Sequence, residues 1–303
     1  MANGEIPRCQ LSLMSKVQSP KSDFQNRNVN VSKQNDFGRG TLDFGLYYES
    51  HGAGEPLVLI PGFAAGAWTW FEQTEELSKT FRVITFDPRG VSRSATGESL
   101  TETISLQTIA ADIAGLLDFL QIEKANILGV SFGGFVAQEF ALRFPERLKK
   151  LILACTSFGG KNHVAPDSEV LAAFVAADDL NKQERVRRFM IPAFTPEFAA
   201  SRAGIIEKVC RLRTENIVPE NVYSEQLNAA VTFDAEQRVS QIRAETLVLT
   251  GDRDIVVPPQ NSFNLAKAIP RATLKVIENG SHMFFIENAT EFNQTVTEFL
   301  KNI

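Results

Sequence analysis

Five short, almost unbroken apolar runs recur along this chain: LVLI at 57–60, RVITFD at 82–87, ANILGV at 125–130, LKKLILACT at 148–156 and TLVLTGD at 246–252. A strand that is apolar on both faces must be covered on both faces, which is the environment of a parallel sheet sandwiched between helices. Helical patterns fall between the runs, at Trp70–Thr80, Thr103–Ile122 and from Ser131 to Phe144-Pro145. Strand-and-helix order resumes late, with a helix near 259–269, the strand ATLKVIE at 272–278 and a final helix at 288–302. Strand, helix, strand in repetition implies right-handed crossovers. The expected fold class is therefore α/β, a mainly parallel doubly wound sheet. A half-buried strand is expected to precede it at Thr41–Ser50, where TLDFGLYYES alternates before the turn-rich HGAGEP.

The alternation stops between 158 and 242. Only helical patterns occur there, at 168–180, 182–192, 196–214 and 219–242, which reads as an all-helical cap inserted over the carboxyl ends of the strands. Residues 1–36 are rich in Asn, Gln, Ser and Lys and read as a flexible leader. The division expected is thus a leader at 1–36, a core from 37–157 and 243–303, and a cap at 158–242.

A chain of 303 residues buries enough surface to fold without staples. Its three cysteines, Cys9, Cys155 and Cys210, are too few and too scattered for a disulfide framework or a zinc cluster. A net charge of −5 argues against nucleic acid. The most apolar stretch, Leu57–Phe71, is too short for a membrane span and holds Pro61, Gly62 and Gly66. The N-terminus has no apolar export core, so a cytoplasmic location is expected. GRGTLDFG and PGFAAGA form neither a dinucleotide fingerprint nor a P-loop, and no His, Asp or Glu cluster has metal-ligand spacing. No cofactor or metal is expected.

Gly129-Val130-Ser131-Phe132-Gly133 has the spacing G-x-S-x-G between a buried strand and a helix, the setting of a nucleophile elbow. A serine hydroxyl is a weak nucleophile until a base takes its proton. His282 follows the strand at 272–278, and Asp254 follows the strand at 246–252, so both reach the sheet edge that Ser131 occupies. Asp252 competes for the acid's place. His51 and His163 sit in polar segments and are expected at the surface, and Phe284 and Phe285 read as core.

On the residues PGF at 61–63, DPRG at 87–90, GVSFGG at 129–134, GDRDIVVP at 251–258 and GSH at 280–282, the sequence resembles the α/β-hydrolase superfamily over about 41–303. It is similar within it to capped esterases, enol-lactonases and carrier-protein methyl esterases. The resemblance implies Ser131 as nucleophile, His282 as general base and acid, and Asp254 as the residue orienting it, with Asp252 capping the turn. It also implies backbone N–H groups of Phe132 and Phe63 as oxyanion donors. Two departures are visible: Pro61-Gly62 stands where His-Gly is common, and Ser92 where a second glycine is common. Ala64, Phe174, Met190, Phe194 and Met283 are the residues expected against substrate, with Ile191 and Phe198 adding apolar surface in the cap.

The activity implied is hydrolysis of carboxylic esters, with lactones and thioesters as variants and a slow-turnover receptor as the rival of another class. Between Lys182 and Arg213 the cap holds eight basic residues (Lys182, Arg185, Arg187, Arg188, Arg202, Lys208, Arg211, Arg213) against three glutamates. That stripe reads as a solvated face, or as a surface for an acidic carrier protein or an acidic substrate.

Overall fold

The computed structural model describes residues 39–42, 45–94, 103–166, 168, 170, 181–216 and 218–301, all within one compact unit. The leader expected at 1–36, most of the cap helix expected at 168–180, and Phe174 within it lie outside the described residues. Eight strands form one sheet: β1 (Arg39–Thr41), β2 (Tyr47–His51), β3 (Pro56–Ile60), β4 (Arg82–Phe86), β5 (Ala125–Val130), β6 (Leu148–Ala154), β7 (Glu245–Gly251) and β8 (Ala272–Ile277). Their order is β1-β2-β4-β3-β5-β6-β7-β8; β1 and β2 pair antiparallel, and every pairing among β3 to β8 is parallel.

Both parities of the central strands are apolar because each parity feeds a different layer. Val58, Ile60, Ala125 and Ile127 join one buried cluster, while Leu57, Leu59, Leu128 and Val130 join the other. The first cluster is closed by α2 (Leu106–Phe119), α3 (Phe132–Arg143) and α8 (Gln260–Ala268), and the second by α1 (Thr74–Ser78), α9 (Phe284–Glu287) and α10 (Ala289–Lys301). Helix α2 starts at a capping box: Ser105 Oγ accepts from Thr108 N–H while Thr108 Oγ1 accepts from Ser105 N–H.

Between β6 and β7 the described regular elements are helical: α4 (Lys182–Met190), α5 (Pro196–Ser201), α6 (Ala203–Glu215), α7 (Glu220–Val231) and short 3-10 turns. Several element ends depart from the sequence reading. The strand expected at 41–50 divides, because Leu42 and Leu46 close a turn with Gly45 at φ 82°. The helix expected at 70–80 shortens to α1, preceded by a 3-10 turn at Ala67–Trp70. The pattern at 196–214 breaks at Arg202, which leaves helical geometry at ψ 39°. The pattern at 219–242 stops at Val231, since Phe233–Ala235 turn back onto the sheet layer. There Ala235 N–H donates to Phe158 O at 2.8 Å, and Phe233 and Ala235 are buried. No helix among the described residues is long and apolar enough to cross a membrane.

Candidate active site

Ser131 stands between the end of β5 and the start of α3 at φ 54°, ψ −121°. Such a conformation costs an ordinary residue about 1–3 kcal/mol and survives only where the surroundings impose it. Here they do: Ser131 N–H donates to Ala154 O at 2.9 Å, and its carbonyl accepts from Gly134 N–H at 2.8 Å and from Thr156 Oγ1 at 2.9 Å. The two flanking glycines are required by close approach. A Cβ on Gly129 would lie 2.2 Å from Gly133 O, and one on Gly133 would lie 2.3 Å from Ile60 O. The turn is sharp because nothing larger than hydrogen fits beneath it.

Asp254 follows β7 and His282 follows β8, and both are buried. Asp254 Oδ1 accepts from the N–H groups of Val256 at 2.9 Å and Val257 at 2.8 Å, while Oδ2 lies 2.9 Å from His282 Nδ1. A carboxylate facing Nδ1 places the ring hydrogen there and leaves Nε2 as the basic nitrogen. The histidine segment is tied on both sides. Ser281 N–H donates to Glu287 Oε2 at 3.0 Å, and Met283 N–H donates to Ala193 O of the helical insertion at 2.9 Å. Asp252 is exposed, so the acid that meets His282 is Asp254.

Ser131 and His282 share the wall of a cavity of about 600 Å³, its open mouth included. Phe63, Trp68, Phe189, Met190, Met283 and Phe285 are the large apolar side chains of its lining, and Arg213 is the one Lys, Arg, Asp or Glu among the lining residues. Of the residues expected against substrate, Met190 and Met283 reach this wall. Ala64 and Phe194 do not. Ala64, at φ 50°, turns its N–H to Gln226 Oε1 at 2.9 Å, so its neighbour Ala65 faces the cavity instead. Phe194 is buried and stacks on Phe198 with ring centroids 5.7 Å apart. Ile191 is exposed. Among the described residues, the N–H groups of Phe63 and Phe132 have no hydrogen-bond acceptor, which leaves both available to a ligand.

His51 and His163 are half-buried rather than at the surface: His51 Nε2 lies 3.2 Å from Glu49 Oε2, and His163 Nδ1 lies 3.0 Å from Ser157 Oγ. Burial lowers the His163 pKa. Sequence spacing also gave no hint that Cys155 sits beneath the site. It follows β6 at φ 43°, fully buried, and its sulfur, an Asp254 oxygen and a His282 nitrogen all lie within 4.8 Å of one another. Burial, reinforced by the Asp254 charge, pushes its thiol well above the ordinary range.

A doubly wound sheet whose carboxyl edge gathers a strained serine turn and a buried histidine–aspartate pair over an apolar cavity defines an α/β enzyme. The chain belongs to the α/β-hydrolase fold family, whose model matches residues 55–289, and it is a hydrolase of that type. It is 28% identical over 261 residues to a putative carbamate hydrolase, RutD, of Azorhizobium caulinodans, covering 86% of this chain and 97% of that protein. It is 30% identical over 274 residues to the 2-hydroxy-6-oxononadienedioate/2-hydroxy-6-oxononatrienedioate hydrolase 1 of Pseudomonas putida, covering 86% and 93%. Among solved structures it is similar to a meta-cleavage product hydrolase from Pseudomonas fluorescens, with a TM-score of 0.71, 27% identity, and coverage of 85% of this chain and 94% of that one. A thermophilic esterase from Thermogutta terrifontis gives a TM-score of 0.69 at 30% identity, with coverage of 85% and 93%.

Proposed function

We propose that this hydrolase cleaves small to medium carboxylic esters or lactones through an acyl-enzyme on Ser131. The observation that carries the reading is the 2.9 Å pairing of His282 Nδ1 with Asp254 Oδ2 in a cavity wall that the histidine shares with Ser131. In the first half-reaction Ser131 Oγ bonds to the substrate carbonyl carbon while its proton passes to His282 Nε2. The tetrahedral oxyanion takes the N–H groups of Phe132 and Phe63. His282 returns the proton to the departing alcohol oxygen as the ester bond breaks. Water then repeats the sequence: its oxygen bonds to the acyl carbon, His282 carries its proton, and Ser131 Oγ leaves with that proton as the acid departs. Asp254 holds the ring and stabilises the transient imidazolium.

Small molecules fit better than a carrier-borne acyl group, because much of the basic stripe is already engaged. Arg187 pairs with Glu207, Lys182 Nζ donates to Thr214 O at 2.7 Å, and Lys208 Nζ lies 3.8 Å over the Phe71 ring. The test is labelling by a fluorophosphonate together with turnover of p-nitrophenyl esters. Wild-type protein is expected to be labelled on Ser131, and Ser131→Ala to lose both the label and at least 10³-fold in kcat, about the scale of triad deletions. Labelling of another serine, or full turnover by Ser131→Ala, overturns the reading.

A further inference from the structure

Arg213 is the one cation in the cavity wall that the serine chemistry leaves unused. It projects from α6 and lines the same cavity as Ser131 and His282. Its Nη2 donates to Phe63 O at 3.2 Å, and its guanidinium carbon lies 4.5 Å over the Phe189 ring. It makes no ion pair among the described residues. Burial pulls its pKa down to about 10, so it is still a cation at neutral pH. A carbonyl and a ring face engage a small part of a five-donor fork whose geometry matches a carboxylate. Leaving such a charge desolvated and unpaired is costly unless a counter-charge arrives.

Two further donors in this wall are idle. Thr69 is 4% exposed and its Oγ1 has no partner among the described residues; the Trp68 Nε1–H is likewise buried and unpartnered. The residues of this wall thus include an arginine fork and two buried, unpartnered groups, a hydroxyl and an indole N–H, with no acid among them. A single cation balances a monoanion.

We infer that the Arg213 side of the cavity is a carboxylate subsite, with Thr69 and Trp68 as auxiliary donors, so that the preferred substrates carry a carboxylate at the end remote from the scissile bond. This rests on the Ser131 reading for its chemistry, though the subsite itself does not. The same Phe63 whose N–H faces the oxyanion gives its carbonyl to Arg213, so substrate charge and carbonyl activation meet on one loop.

The test compares mono-p-nitrophenyl adipate with p-nitrophenyl hexanoate, two esters with one leaving group and six-carbon acyl parts that differ in the terminal carboxylate. Wild-type enzyme is expected to favour the adipate in kcat/KM. In Arg213→Met the adipate-to-hexanoate ratio is expected to fall at least 30-fold, the lower end for removing one partner of a desolvated charge pair. Arg213→Lys is expected to recover part of it, and Thr69→Val to lower it about threefold to tenfold, as one hydrogen bond does. The ratio is the readout because a slackened Phe63 loop slows both esters alike and cancels. A ratio unchanged in Arg213→Met overturns the subsite and leaves Arg213 as a tether for the loop. If neither ester turns over, the Ser131 reading has failed separately. Calorimetric titration of Ser131→Ala protein with monomethyl adipate and methyl hexanoate then decides: binding of the first alone, lost with Arg213→Met, upholds the subsite, and equal or absent binding removes it.

Discussion

Replacing Asp254 with Asn is the substitution for which the geometry makes the most definite forecast. Oδ1 of Asp254 accepts two backbone N–H groups, at 2.9 and 2.8 Å, and Oδ2 faces His282 Nδ1 at 2.9 Å. An amide of the same shape has one acceptor and one donor end. Turning its NH₂ toward Val256 and Val257 would strand two buried N–H groups at about 1–3 kcal/mol each. The oxygen therefore stays on the valine side and the NH₂ meets the imidazole. His282 must then accept through Nδ1 and carry its hydrogen on Nε2, the nitrogen that takes the serine proton in the proposed reaction. The productive tautomer requires the disfavoured rotamer, a penalty of about 2–6 kcal/mol, with its midpoint near 10³-fold by the usual conversion. Loss of the charge that stabilises the imidazolium adds to this, so kcat is expected to fall by roughly 10³- to 10⁴-fold. Stability should change little, since both valine bonds persist, and Tm is expected to drop by only a few degrees. Steady-state ester turnover and the rate of fluorophosphonate labelling measure the first effect, and thermal denaturation the second. Asp252→Asn, at an exposed position, is the control and should stay within twofold. Retention of more than a tenth of kcat by Asp254→Asn, or a larger loss in Asp252→Asn, would refute the tautomer reasoning.

Two other substitutions probe the supports of the site. Gln226 reaches from α7 to hold the Ala64 N–H at 2.9 Å, so Gln226→Leu leaves a buried donor unpaired in the loop that presents Phe63; kcat is expected to fall about tenfold or more with KM within threefold, whereas a drop in Tm alone would make Gln226 merely structural. Burial first, and the Asp254 charge second, raise the Cys155 pKa, which keeps the thiolate fraction low at every working pH. Iodoacetamide at pH 8 is therefore expected to alkylate Cys155 only after unfolding, and rapid modification of the native protein, read by peptide mapping, would show that the thiol is not shielded.

The sheet was legible where burial is two-sided. β5 is buried at every position, so its uninterrupted apolar run had one structural solution. The ends of the inserted helices were not legible, because tertiary contacts set them. Helix α7 yields after Val231 to a bridge between Gly159 and Asp234, a pairing across more than seventy residues that no local pattern announces. The three residues at the sheet edge were legible for a topological reason: Ser131, Asp254 and His282 each follow a strand, and parallel strands bring their carboxyl ends together. Cys155 obeys the same rule after β6, and could have been found by applying it to every strand rather than to those carrying a motif.

Arg213 shows a different kind of loss. Counted along the chain it was one of eight basic residues, and the sum read as a solvated face, or as a surface for an acidic carrier protein or an acidic substrate. Counted around the helix it stands apart. Ile206, Val209 and Cys210 form the buried stripe of α6, and the next position at helical spacing is 213. A cation on the apolar face of a helix has to be neutralised, hydrated or given a ligand. Arg187, one of its neighbours in the window, lies off that stripe and meets Glu207 in solvent. Charge summed over a window describes how a surface attracts, whereas charge placed on a face describes what a cavity binds. For this chain the second measure favours, of those readings, the acidic substrate, with its carboxylate at Arg213 as proposed above.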